Sequence, residues 1–432
     1  MARSEALNVY IENISPRARW IFKLMLEELS GLKLNLTDKV PSDQPILNYS
    51  DKDIPGSVTI KPSGLLSQTG IVEQIIKMDK YEGLPVFFTV EGGDLPFDPF
   101  AMAFYLVSRY EEYLPFKADR HGRFPHTECL AFEEGFLHTP LVDEIAQKLK
   151  LLLQERYPEL KFKEKRYHFV PTIDVDIAFA HLGKGFVRTW GAVVKLLLKG
   201  NFSEMGKRCQ TMRGKGKDPF DNFDMLIAQF SGHQPDPVFF ILAGEPGPFD
   251  RNLSLKNKKF ASLVRRLSAK AEIGVHPSYG AGNELGKIKK EISGIEEVTA
   301  KKITRSRQHF VKMSFPETYE SLIEAGITDD YSMGYASMSG FRAGIANPFR
   351  FYNLKEEEET SLLIHPFMFM DTTLSDYMKL DPSEYKDAVL PLIDAVKSVS
   401  GELIGIWHNY ALEDDENKHK SLEEIFARAA QQ

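Results

Sequence analysis

Residues 168–179 read HFVPTIDVDIAF. The apolar residues Phe169 and Val170 lead into two acids, and a run of this kind suits a buried strand. On a strand, side chains i and i+2 share a face. Asp174 and Asp176 are therefore expected to point into one site at a strand end. Two like charges that close are costly unless a cation or a shared proton relieves them. A metal bound by Asp176, with Asp174 left beside it as a base, accounts for both. An Asp-rich turn after a strand is the competing reading of an isolated DxD.

Outward from this run, residues 166–432 alternate strand and helix patterns. Strand candidates are 168–173, 238–242 (VFFIL), 272–276 (EIGVH), 303–310 (ITRSRQHF), 361–367 (SLLIHPF) and 403–409 (LIGIWHN). Helices are expected at 223–230, 256–270, 284–299, 316–325 and 383–399. Such alternation argues for an α/β fold with a parallel sheet. A segment of roughly 260 residues with this rhythm suits a (β/α) barrel, whose active residues sit at the C-terminal ends of the strands. Residues 183–222 are rich in Gly and Lys and read as a helical excursion with a mobile loop over 213–217.

Residues 1–165 read as a smaller unit of α+β or α/β type. A helix is expected over 15–32, with Ser15 as N-cap and Pro16 after it. Strand-like pieces follow at 46–50, 57–62 and 85–90. Asp98 can cap a helix running from Pro99 to about residue 113, with Phe100, Phe104 and Val107 as its apolar face, and 141–155 reads as a further helix. The charged stretch KFKEKRY (161–167) marks the boundary between the units.

A chain of 432 residues with 43% hydrophobic and 27% charged residues is long enough to bury a sizeable core. Its formal net charge of -7 disfavours nucleic acid and anionic membranes as partners. Cys129 and Cys209 form no CxxC motif, which fits a reducing compartment rather than a disulfide scaffold. The first residues lack the pattern of a signal peptide, and no apolar run approaches a membrane span, so the expected location is the cytoplasm. Neither GxGxxG after a strand nor GxxxxGK[ST] occurs, which argues against a nucleotide enzyme.

His276, His309, His365 and His408 each fall at or near the end of a strand candidate. A lone histidine beside apolar residues is ordinarily structural. Four of them, together with the acid pair, point to a shared site. Imidazole and carboxylate together suit zinc and other first-row metals.

With those residues in view, the second unit resembles the NodB-homology polysaccharide deacetylases, a carbohydrate esterase family built on a distorted (β/α)7 barrel. TIDVD (172–176) resembles the family's first motif, which implies Asp174 as catalytic base and Asp176 as metal ligand. The second motif is a His pair four residues apart. EIGVHPSYGAG supplies His276, but the position four later is Gly280. The third motif matches the layout of TRSRQHFVKMSFPETYESLIEAGITDDYSMG, with Arg307 as its Arg. His309 stands where the family has Pro and can replace the missing ligand, contact substrate or simply pack. GFRAG adds Arg342 near the same region. LIGIWHN supplies His408 as general acid. His365, followed by Pro366 and later Met370-Asp371, has no family counterpart and is read as a substrate contact, a ligand or a structural residue.

The resemblance spans residues 166–412 and implies a hydrolase that removes N-acetyl groups from a sugar or glycan. It implies a divalent cofactor, zinc first, with cobalt, nickel or manganese as substitutes. Alternatives are a metal-free or small-amide hydrolase on the same scaffold, and a non-catalytic glycan-binding protein. The first unit, with SRYEEYLP and HGRFP, resembles the extra domain ahead of such deacetylase-like domains in some bacterial proteins. That implies no separate activity, and Glu111, Glu112, His121 and Arg123 are expected to make surface or interdomain contacts.

Overall fold

The β-prone residues of LNVYI open the chain as β1 (Leu7–Ile11), a strand that the sequence reading passed over. With β2 (Leu34–Thr37), β3 (Ile46–Tyr49) and β4 (Val58–Thr59) it forms a parallel sheet in the order β2-β1-β3-β4. The piece expected at 85–90 is instead the end of a small hairpin, β5 (Asp79–Tyr81) and β6 (Leu84–Val86). The computed structural model describes residues 6–42, 45–183, 197–198, 202–230, 236–412 and 416–431. The expected excursion over 183–222 therefore lies partly outside the described residues, and within them it contains the helix Phe202–Met212.

Ser15 caps the helix Pro16–Phe22 by accepting from the Ala18 N–H at 3.0 Å, and the helix continues as a wider π-type turn over Lys23–Leu29. Asp98 caps Pro99–Val107 by accepting from the N–H groups of Phe100 and Ala101 at 3.1 and 3.0 Å. All nine residues of that helix are buried, so the apolar character runs all round it and not along one face. It stops at Val107, because Arg109 adopts a left-handed conformation ahead of a short 3₁₀ turn over Tyr110–Tyr113.

The second sheet holds β7 (His168–Val175), β8 (Val238–Ile241), β9 (Glu272–Val275), β10 (Arg305–Ser306), β11 (Asp329–Asp330), β12 (Phe349–Asn353), β13 (Glu358–Ile364), β14 (Phe369–Met370) and β15 (Glu402–His408). Its order is β12-β13-β11-β10-β9-β8-β7-β15-β14. Every pairing is parallel except β12 with β13. Helices Phe223–Phe230, Lys258–Ser268, Leu285–Thr299, Glu317–Glu324 and Tyr385–Ser398 separate the strands as the alternation predicts. The strand expected over 303–310 shrinks to the two residues of β10, and His309–Val311 forms a 3₁₀ turn. No helix among the described residues is long and apolar enough to cross a membrane.

The fold is mixed α/β with parallel sheets, but the closed barrel expected from its rhythm is not formed by the described ladders. β13 pairs with β11, and β14, which begins after four intervening residues, pairs with β15 at the other side of the sheet. In between, Phe367 N–H donates to Met333 O at 2.9 Å and Met368 N–H to Ile404 O at 3.0 Å. Pro366 has no N–H to give. The two sides are therefore linked there by the chain and single hydrogen bonds, not by paired strands.

One hydrophobic cluster runs through residues of both sheets. Buried polar contacts cross the same seam. Glu112 accepts from Nε of Arg109 at 2.7 Å and from Nε of Arg342 at 2.9 Å, and none of the three is more than 6% exposed. Burial works against a charged Glu112, but Arg342 and Arg109 outweigh it and hold its carboxyl below the usual range. Further along the seam, Asp143 accepts from Ala346 N–H at 2.7 Å and Asn347 Nδ2 at 2.6 Å. Glu112→Gln would leave the buried guanidinium of Arg342 without its carboxylate and Arg109 with Glu111 alone. Urea unfolding should then show a loss of about 3–5 kcal/mol; a loss below about 1 kcal/mol, as for exposed pairs, would show that the seam does not depend on this group.

His365 follows β13 and ties strand starts together. Its Nδ1 lies 2.6 Å from Glu402 Oε1, its Nε2 3.2 Å from Asp329 Oδ1, and its ring stacks on Tyr331 at 4.3 Å. Burial disfavours the imidazolium, but Glu402 and Asp329 outweigh it and push the pKa up to about 9. The unfolded value is about 6.5. A raised folded pKa stabilises the fold fully below the unfolded value, and that contribution is lost as pH rises through the folded one. The stability gap between wild type and His365→Gln should therefore be widest near pH 6, narrow as pH rises from about 6.5 to about 9, and have closed above about pH 9. Melting curves across that range test this, and a gap that does not change with pH would refute it.

Candidate functional site

Strand register builds the site. Asp174 sits opposite His408 on β15 and opposite Phe240 on β8, so the last turn of three neighbouring strands meets at one end of the sheet. Thr172 and Asp174 share a face of β7 by strand alternation. Both take a hydrogen bond from Nη1 of Arg307, at 2.9 Å each. Arg307 is fully buried, its Nε donates to Tyr331 O at 2.9 Å, and its guanidinium lies 4.4 Å from the centre of the Phe240 ring. One cation thus fixes the carboxylate of Asp174 through Oδ1 and leaves Oδ2 facing the cleft.

Asp176, just past β7, is the hub. Its Oδ1 lies 3.2 Å from His276 Nε2, and its Oδ2 lies 3.6 Å from His309 Nε2 and 3.4 Å from His408 Nε2. Burial opposes a charge on Asp176, but His309, His276 and His408 outweigh it and hold the carboxyl well below the usual range. Each imidazole is oriented from behind. His276 Nδ1 is 2.5 Å from the Arg307 carbonyl, His309 Nδ1 is 2.9 Å from Asp250 Oδ1, and His408 Nδ1 is 2.6 Å from Asp371 Oδ1. A carbonyl oxygen can only accept, so Nδ1 of His276 carries a proton and Nε2 can present its lone pair to the cleft.

The residues Asp176, His276 and His309 each offer one ligand atom, all within 4.8 Å of one another. They form the one such group of His, Cys, Asp and Glu among the described residues. The cavity they line has a volume of about 140 Å³ and is shared with Asp174 and His408. A larger hollow of about 470 Å³, beside Lys61, Ser63 and Lys77, contains no such group.

Gly280 stands where the second motif would have its second His. Its N–H donates to Asp250 Oδ2 at 2.9 Å, and a Cβ at this position would stand 3.3 Å from that oxygen. The same carboxylate holds His309. The structure thus brings His309, not position 280, up to Asp176.

Of the residues singled out in the sequence, Asp174, Asp176, His276, Arg307, His309 and His408 meet here. Arg342 and His365 do not. Arg342 is occupied by Glu112 and the Gly334 carbonyl, and His365 by Glu402 and Asp329, residues that open β15 and β11. Two groups were missed as contributors, Asp250 and Asp371. Asp371 was noticed without a role, yet it clamps His408 through both the ring and the backbone N–H, the latter at 2.7 Å. Burial disfavours the His408 imidazolium, but Asp371 and Asp176 outweigh it and push its pKa up to about 9. Both missed acids follow apolar strand segments, and nothing in their local sequence separates them from other loop aspartates.

Residues 7–158 match a family of unknown function, DUF7033. No curated protein sequence matches the chain. Among solved structures, the chain is similar to a polysaccharide deacetylase from Mycobacterium smegmatis, described there as putative in its activity, at 16% identity and a TM-score of 0.41, covering 62% of this chain and 85% of that one. It is similar to a CE4 family pseudoenzyme from Bacillus anthracis at 10% identity and a TM-score of 0.30, covering 61% of this chain and 60% of that one. It is also similar to a polysaccharide deacetylase from Bacillus cereus at 11% identity and a TM-score of 0.27, covering 61% of this chain and 88% of that one. At such scores the likeness assigns no role to any residue.

Proposed function

We propose that the chain is a metal-dependent amide hydrolase that removes N-acetyl groups from a sugar or glycan. The observation that carries this is one small cavity holding three candidate ligands, Asp176, His276 and His309, beside a tethered carboxylate, Asp174, and a carboxylate-backed imidazole, His408. The sugar as acyl carrier comes from the sequence resemblance; the cleft itself supports the amide chemistry.

The residues fit a divalent ion. Asp176 Oδ1 is buried and receives no hydrogen bond, although His276 Nε2 lies 3.2 Å away. With Nδ1 of His276 given to the Arg307 carbonyl, two electron pairs face each other there, and a cation between them resolves the conflict. Two imidazole nitrogens and one carboxylate oxygen are a common donor set for zinc at an open, catalytic site. A bound ion of this kind polarises a carbonyl and lowers the pKa of a water molecule.

The remaining steps belong to the protein. Arg307 holds the Asp174 carboxylate through Oδ1, so that Oδ2 can take a proton from the attacking water. His408 holds a proton at Nε2, because Asp371 fixes Nδ1 as the other donor and favours the imidazolium. That proton goes to the departing amine nitrogen. Asp371 sets both the tautomer and the charge of the acid.

Purified protein should bind one equivalent of zinc and lose it in Asp176→Asn. Metal stoichiometry by elemental analysis tests this. Acetate release from acetylated chito-oligomers should fall by about 10²–10⁴-fold in Asp174→Asn, the range for a general base. Asp371→Asn should lower kcat by about the same factor with little change in KM. Release that survives Asp174→Asn would exclude that residue as the base. Zinc-loaded protein that cleaves small amides but no acetylated sugar would move the substrate class. Protein that binds the sugar polymer and releases nothing would show a binding role.

A further inference from the structure

The turn that carries His309 to Asp176 is bent in an unusual way. The two residues after it, Phe310 and Val311, both have left-handed backbones, with φ of 62° and 52°. Glycine takes that conformation freely. An aromatic residue followed by a β-branched one does not, so the surroundings must impose it.

The surroundings come from the first part of the chain, within the stretch that matches DUF7033. Arg123 donates from Nη1 to the carbonyl of Phe310. Arg123 is itself only 6% exposed and is fixed by Asp119, whose Oδ2 lies 2.8 Å from its Nε and whose Oδ1 accepts its backbone N–H at 3.0 Å. His121, two residues earlier, wedges its ring against Phe310 at 5.2 Å and against Tyr279 at 5.8 Å. Asp250 closes the arrangement. It holds His309 Nδ1 and accepts from the Tyr279 N–H at 2.8 Å. The turn that carries His309 is thus gripped on one side by the sheet domain's own acid, and on the other by the loop Asp119–Arg123 from far away in sequence.

We infer that Arg123 is a positioning residue: through the Phe310 carbonyl it holds the left-handed turn that presents His309 Nε2 to the metal site, so that the N-terminal part completes the site from outside the second sheet. This rests on the metal reading above. It gives HGRFP a role that the sequence reading left at interdomain contact.

The test uses the full chain with Arg123→Met, which keeps the apolar stem, and Arg123→Lys, which keeps one donor and the charge. Zinc affinity is measured by competition with a chromophoric chelator, and ligand geometry by the visible spectrum of the cobalt-loaded protein. Arg123→Met should bind zinc about 10–100-fold more weakly, as expected when a group orienting a ligand is removed. Arg123→Lys should fall between it and wild type. In a His309→Ala background the same Arg123 change should cost no further affinity, because the ligand it positions is gone. A crystal structure of metal-free Arg123→Met should show residues 310 and 311 out of the left-handed region and His309 withdrawn from Asp176.

Wild-type affinity in Arg123→Met, an equal loss with and without His309, or an unchanged turn in the metal-free variant would each overturn the inference. If Arg123→Met fails to fold, Arg123→Lys carries the same comparison in both backgrounds. A wild-type protein that takes up no zinc would overturn the metal reading itself, and that result is distinct from the state of the turn.

Discussion

Two carboxylates buried on one face of a strand end cannot both stay charged unless positive charge is brought to them. The rest of the site follows from how this chain meets that demand. Asp174 receives a permanent cation, Arg307, which is buried and held by three oxygens. Asp176 receives three imidazoles. The difference matters chemically. A guanidinium does not give up its proton, so Asp174 keeps a fixed partner at Oδ1, while its Oδ2 lies 3.7 Å from His276 Nε2. Imidazoles can exchange protons for a metal, so Asp176 sits where an ion can enter.

Each of those imidazoles is backed by an acceptor on its far side, and the three acceptors differ. A backbone carbonyl stands behind His276, Asp250 behind His309, and Asp371 behind His408. A carbonyl can only accept, so it fixes a proton on Nδ1 of His276 and turns Nε2 to the cleft. A buried carboxylate such as Asp371 favours a charged ring, and so an acid. The backing group alone does not divide ligand from proton donor, because a carboxylate stands behind His309 as it does behind His408; His309 differs in offering its ligand atom to one group with Asp176 and His276. The carboxylate that lies against Gly280, Asp250, is the one that steadies His309.

The two parts of the chain meet through charge as well as packing. Glu112 and Arg342, Asp143 and Ala346, and Arg123 and Phe310 all join residues that are far apart in sequence. Most are buried, where a missing partner costs several kcal/mol. Such contacts make the relative placement of the two parts a property of the fold, and one of them touches the turn that carries His309.

Local rules were enough to read much of this chain from its sequence. Alternation placed the acid pair on one strand face, caps marked the helices at Ser15 and Asp98, and strand-helix rhythm gave a parallel α/β sheet, because each of these depends on neighbours a few residues apart. Tertiary structure alone decided the rest. It left the sheet ladders open at His365-Pro366, and turned Arg342 and His365 to structural pairs away from the cleft. It also bent the turn after His309 and brought Asp250 and Asp371 behind their histidines. Those outcomes depend on register and on contacts between segments a hundred or more residues apart in several cases, such as Arg123 with Phe310. No short stretch of residues encodes where its distant partner will stand.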